Sequence, residues 1–134
     1  MTVDPQLLES LRSTCARFPT VRVAMLFGSR ATGRAGPASD VDLGVLCADE
    51  DRYALACALT DALGLDVDLV DLSRASVPLR EEILRDGVIV YEGEPGAGAL
   101  WLSHTLVELE FDRRWYHAMS DAWLARVAKD GLTW

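Results

Sequence analysis

Residues 21 to 47 constrain the fold more than any other part of the chain: two apolar runs, Val21 to Phe27 and Val41 to Cys47, flank a polar, glycine-punctuated stretch closing on Asp40-Val41-Asp42. Apolar runs of this length bounded by turn residues read as buried strands, which need cover on both faces. The remaining chain supplies that cover. Asp4 can cap a first helix with Pro5 at its first position, and Leu7, Leu8, Leu11, Cys15 and Phe18 line one face of it. Asp51 to Leu63 reads as a helix closed by Gly64, and Val67 to Leu72 as a third strand. Pro78 to Asp86 reads as a helix ended by Gly87, and Val88 to Tyr91 as a short fourth strand. Such alternation, with short connections and no internal repeat, predicts an α/β layer fold. The run from Gly93 to Gly98 reads as a flexible joint before a long final helix reaching about Lys129. The expected division is therefore residues 1–97 for the domain proper and 98–134 for a C-terminal extension.

A chain of 134 residues has the size of one domain that buries a core without staples. Cys15, Cys47 and Cys57 are odd in number, sit among apolar neighbours and show no metal-ligand spacing, so they read as reduced core residues of a cytoplasmic protein. The opening Met1-Thr2-Val3-Asp4-Pro5 lacks a basic n-region, and no apolar run approaches the ~20 residues that span a bilayer, so neither a secretion signal nor a membrane segment is expected. A formal charge of −8 works against autonomous nucleic-acid binding, which depends on surplus Lys and Arg. Any macromolecular partner is expected to be a protein.

The chemistry concentrates in the stretch from Gly28 to Leu43. Side chains two apart on a strand share a face, so Asp40 and Asp42 converge with Cα atoms ~6.6 Å apart. Paired carboxylates at that spacing suit a hard cation bound through oxygen, with magnesium the natural occupant. Without a cation the two would repel and resist ionising, an arrangement that a purely structural strand has no reason to keep. Gly28 permits a sharp turn and a close approach, and Ser29 offers a hydroxyl and an N–H to phosphate oxygens. A helix starting just after Ser29 would add N–H donors at the same place, and Arg30 or Arg34 could supply a mobile positive charge. The same residues have the two-glycine spacing of a P-loop, but Arg34 and Ala35 stand where Lys and Ser or Thr belong, which excludes that motif. For a third carboxylate the third strand offers Asp66, Asp68 and Asp71, of which the first two share one face and Asp71 takes the other.

Gly-Ser, ten residues, then Asp-x-Asp is the signature of the DNA polymerase beta-like nucleotidyltransferases, and the spacing here resembles that of the minimal nucleotidyltransferase antitoxins. The likeness runs over roughly residues 20 to 92, from Leu26-Phe27 through Val67-Asp68-Leu69 to Glu82-Ile83-Leu84-Arg85-Asp86-Gly87. It implies a polymerase beta-like palm, a small mixed sheet flanked by helices. It also implies Asp40, Asp42 and Asp68 as catalytic ligands of two magnesium ions, with Gly28, Ser29, Arg30 and Ser39 holding ATP. The function implied is transfer of AMP from ATP onto a tyrosine of a cognate HEPN ribonuclease toxin, bound as a hetero-oligomer and thereby neutralised. The alternatives are a small-molecule acceptor such as an aminoglycoside, and an antitoxin acting by contact alone.

The final helix carries Val107, Phe111, Trp115, Met119, Trp123 and Val127 at every fourth position, with Leu102, Leu106 and Leu109 as a second strip. It is expected to pack back over its own sheet, with a docking surface as the alternative, for which Arg113 and Arg114 would suit an interface core. His104 and His117 lack a ligand-like partner at helical spacing, and Arg113-Arg114-Trp115-Tyr116-His117 is too short for the Arg-to-His ribonuclease motif of HEPN toxins.

Overall fold

The protein is described by a computed structural model covering residues 3–130; Trp134 lies outside the described residues, as do the side chains of Asp112, Arg113, Tyr116 and Asp130. Helix α1 (Pro5–Cys15) begins where Asp4 accepts a hydrogen bond from the Gln6 N–H at 3.1 Å with Pro5 in the first turn. Strand β1 (Val23–Phe27) leads into the short α2 (Ser29–Thr32), and β2 (Val41–Leu46) into α3 (Asp49–Leu63), which stops at Gly64 in the left-handed region. Strand β3 (Val67–Asp71) passes through a single 3-10 turn into α4 (Val77–Asp86), then β4 (Val88–Glu92) and α5 (Ala97–Asp130).

Element boundaries differ from expectation by one or two residues, and side-chain caps account for two of the shifts. Helix α4 starts earlier because Ser76 accepts from the Leu79 N–H at 3.4 Å. Strand β3 ends earlier because the Asp71 carboxylate accepts from the N–H and hydroxyl of Ser73, at 3.0 and 2.7 Å, and so turns the chain. Helix α3 begins at Asp49, with Asp49, Glu50 and Asp51 all in its first turn, where acidic residues complement the helix dipole.

The sheet has the order β3-β2-β1-β4, with β1 antiparallel to both neighbours and β2 parallel to β3. This is the expected small mixed sheet. Strand alternation divides its two faces: Ala24, Leu26, Val41, Leu43 and Val45 join Leu7, Leu11, Leu55 and Leu59 of α1 and α3, while Val23, Met25, Phe27 and Leu46 join Ile83 of α4 and Ala97 of α5. All three cysteines are free, but only Cys15 is a buried core residue; Cys47 is half-buried and Cys57, expected in the core, is exposed on α3. Burial pushes the Cys15 thiol up to about 12, with Cys47 adding to the rise.

Helix α5 is two things in one element. Its first turns belong to the core, with Ala97, Thr105 and Leu109 buried and Trp101 and Leu102 packed against the α4 side of the sheet. The indole N–H of Trp101 donates to the Leu72 carbonyl at 3.3 Å. Beyond Leu109, the residues Phe111, Trp115, Met119 and Trp123 are 75, 61, 54 and 48% exposed. The helix therefore packs back on the sheet only as far as Leu109, and Leu106, expected beside Leu102 and Leu109, points outward at 60% exposure. The 93–98 joint is shorter than expected: Gly93 and Glu94 both donate to the Arg22 carbonyl, and the helix has begun by Ala97. Among the described residues no helix is long and apolar enough to cross a membrane.

Leu109→Ala should cost about 2–5 kcal/mol by removing a fully packed side chain, whereas Phe111→Ala should stay within about 0.5 kcal/mol. Urea unfolding of the two variants against the parent protein checks the contrast.

Candidate active site

The register of three strands assembles the site. Phe27 pairs with Asp42 across the antiparallel β1–β2 ladder, and Asp42 pairs with Asp68 across the parallel β2–β3 ladder. Residues in register point the same way, and the alternation of β2 puts Asp42 opposite Val41 and Leu43, on the side that carries α4 and α5. Asp68 shares that side. Asp40 stands exposed two residues earlier, at the edge of the same strand.

Gly28 closes the arrangement from the β1 end. It has φ +74°, and a Cβ there would run into the Oδ2 of Asp42. Glycine is thus required twice, by backbone conformation and by the carboxylate lying directly against its Cα. Ser29 begins α2 immediately afterwards, so the turn and the aspartate are held in one contact.

Burial pushes the Asp42 carboxyl above the ordinary carboxylate range, and Asp68, Glu82 and Asp40 add to the rise in that order. Glu82, on α4, did not figure among the expected site residues. It lines the same cleft as Gly28 and Ser29, about 240 Å³ in volume, with Thr32, Arg34, Arg85 and Asp86. Sequence offers one faint signal for it, an acidic residue directly before the buried Ile83; its proximity to Asp42 depends on how α4 docks, which is not a local property.

The other acidic candidates separate cleanly. Asp71 loses ionisation through burial but gains more from the Ser73 hydroxyl and N–H and from Arg52 and Arg74, which together hold it below the usual range. It caps a turn and anchors a cluster of arginines away from Asp42. Asp66 is exposed at the strand entrance, its carbonyl accepting from the Val41 N–H at 2.9 Å.

Arg30 and Ser39 are both engaged in shaping the loop. The Arg30 guanidinium donates to the carbonyls of Ser39, at 2.7 and 3.0 Å, and of Gly36 and Pro37 at 3.4 and 3.3 Å. The Ser39 hydroxyl accepts from the Gly36 N–H at 2.9 Å. Together they clamp the segment that delivers Asp40 and Asp42. A larger cavity of about 540 Å³, lined by Leu46, Leu72, Trp101 and His104, opens past the other end of β2 and includes none of these acidic residues.

Asp42 against Gly28, with Asp68 in register beside it, offers hard oxygens suited to magnesium. Among the described residues no three His, Cys, Asp or Glu side chains already stand grouped to hold one ion. The Asp42 carboxyl, raised first by burial and then by its acidic neighbours, is the observation that fits, because a cation relieves it.

Because its folded-state carboxyl is raised, Asp42 binds its proton more readily in the folded chain than in the unfolded one. Stability is therefore lost as pH climbs from the ordinary carboxylate range through the raised value. Asp42→Asn should remove that loss, so without divalent cations its thermal midpoint should exceed the parent's at neutral pH and the gap should close in acid. Added magnesium should raise the parent's midpoint and leave the variant's nearly unchanged, as followed by circular dichroism.

The model of the polymerase beta nucleotidyltransferase family matches residues 9–95. A protein adenylyltransferase MntA of Shewanella oneidensis is 41% identical over 73 residues, a stretch covering 52% of this chain and 52% of that protein. The match thus spans about half the length of that curated relative. A solved toxin–antitoxin structure with AMP-PNP superposes with a TM-score of 0.69 at 28% identity, over 89% of this chain and 96% of that one. Another, of a tri-AMPylated Shewanella oneidensis HEPN toxin in complex with MNT antitoxin, superposes with a TM-score of 0.63 at 27% identity, over 89% of this chain and 93% of that one.

Proposed function

The chain belongs to the polymerase beta nucleotidyltransferase family, and on that premise we propose that it is a cytoplasmic antitoxin that transfers AMP from ATP to a tyrosine hydroxyl of a HEPN ribonuclease toxin. The observation that carries the proposal is the in-register pair Asp42 and Asp68 facing the Gly28–Ser29 turn. The relatives' adenylyltransferase name and the AMPylated toxin in a superposable complex support the nucleotide and the acceptor.

In this reading Gly28 and Ser29 receive the outer phosphates, Gly28 because nothing projects from its Cα and Ser29 through its hydroxyl and N–H. Asp40, Asp42 and Asp68 would hold magnesium, which when bound supplies positive charge to the triphosphate and to the departing pyrophosphate. Asp68, the exposed member of the register pair, accepts the tyrosine proton as the phenolic oxygen bonds to the α-phosphorus. The bond from that phosphorus to the β-phosphate bridging oxygen breaks, and pyrophosphate leaves. Arg30 and Ser39 keep Asp40 and Asp42 in place through the loop carbonyls, so positioning and electrostatics provide most of the acceleration.

In the same reading the toxin docks on the outer part of α5; the support for this is the apolar stripe of Phe111, Trp115, Met119 and Trp123, which this domain does not cover. Aromatic residues and methionine beside Arg114 have the composition of an interface core.

With labelled ATP, magnesium and a co-expressed HEPN protein, the parent should label that protein on tyrosine. The paired substitution Asp40→Asn and Asp42→Asn should lower the rate by about a thousandfold or more, while leaving the complex intact on gel filtration. Unchanged transfer by the doubly substituted protein would refute the assignment.

A further inference from the structure

We propose that Arg34 and Arg85 form a two-arginine clamp for the β- and γ-phosphates, closing the Gly28–Ser29 turn from the side of α4; this rests on the nucleotidyl-transfer reading above. The charge balance of the site demands such a group. Asp42 lies against Gly28, Asp68 is in register with it and Glu82 lines the cleft of the Gly28–Ser29 turn, so carboxylates surround the place where a polyanion must enter. Arg30, the arginine nearest Ser29 in sequence, is taken up by the carbonyls of Gly36, Pro37 and Ser39 and lies toward α1, lining a depression with Asp4 and Leu7.

Arg34 and Arg85 are placed differently. Both line the cleft that contains Gly28 and Ser29. At about 240 Å³ it falls below the ~300 Å³ at which ordinary small-molecule sites begin, so it suits the phosphate end of a nucleotide and not the whole. Glu82 and Arg85 are three residues apart on α4 and therefore share a helix face, which directs Arg85 toward the cleft that Glu82 also lines. Arg85 pairs with its neighbour Asp86 at 3.1 Å, but its side chain is 68% exposed, and such a pair is readily exchanged for a phosphate partner. Among the described residues no hydrogen bond or ion pair engages the Arg34 guanidinium. Gly33, with φ +78° at the end of α2, turns the chain so that Arg34 follows the phosphate turn at once.

The clamp touches only the phosphates that depart. It is thus a device for choosing triphosphate over monophosphate, and for holding pyrophosphate charge as it develops.

The experiment is titration of the full chain with Mg-ATP, Mg-ADP and Mg-AMP by calorimetry, using the parent, Arg34→Ala, Arg85→Ala and the double variant. The parent should prefer ATP over AMP. Each single substitution should cost roughly tenfold in ATP and ADP affinity and little in AMP affinity, and the double variant should lose the preference. Arg85→Lys should restore part of it, and KM for ATP in the transfer assay should rise in step. A double variant that binds ATP and keeps the parent's ATP-to-AMP ratio would overturn the clamp alone. A parent that binds none of the three would overturn the nucleotidyl-transfer reading, and the clamp with it.

Discussion

The repulsion gathered at Asp42 is the constraint around which the rest of the structure is arranged. A half-buried carboxylate, pressed against Gly28 and in register with Asp68, is raised first by burial and then by its acidic neighbours, a cost that positive charge relieves. Everything nearby keeps that cost from being relaxed away. The β1–β2 and β2–β3 ladders fix the carboxylates in register, Arg30 ties the connecting loop to its own carbonyls, and the buried Val41 and Leu43 on either side prevent β2 from rotating. Functional sites commonly store such cost, and the core at their back supplies the stability to sustain it.

A sheet with antiparallel β1 at its centre and a parallel β2–β3 pair suits this arrangement. The antiparallel pair brings the end of β1 beside the beginning of β2, so one connection joins the Gly28–Ser29 turn to Asp40 and to Asp42 at the start of β2. The parallel pair then returns a third strand, after a helix, with its own beginning at the same edge. Three acidic residues and a glycine turn separated by up to forty residues therefore meet at one end of one sheet.

How much of this could be read from the chain depends on whether each contact is local. The Gly28–Ser29 turn, Asp42 and the two-faced strand pattern follow from spacing and parity; the fold puts Asp42 on β2 beside Gly28, whereas Asp40, expected on the same strand, lies one residue before it. The capped starts of α1 and the glycine stop of α3 were equally legible, because a cap is decided within a few residues. Glu82 and Arg85 were not, since their position depends on the packing of Ile83 beneath α4, a matter of tertiary docking. The arginine ambiguity had the same origin. Spacing alone left Arg30 and Arg34 equivalent, and only the folded loop shows that Arg30 hydrogen-bonds its own turn. In α5 the apolar residues ring the helix, so no single stripe revealed that Leu102 and Leu109 face inward while Leu106 and Phe111 face out.

The unbroken course of α5 from buried to exposed carries a mechanical consequence. Residues 110–130 extend the helix by roughly 30 Å past its last buried contact, and no proline or glycine interrupts them. A continuous helix transmits rotation. Each residue added or removed beyond Leu109 would swing the aromatic stripe by about 100° around the axis, whereas two whole turns would return it to its bearing and merely move it outward. The azimuth of the stripe relative to the carboxylates is thus written in the count of residues between Leu109 and Phe111, and the helix keeps phase between its buried and its exposed ends.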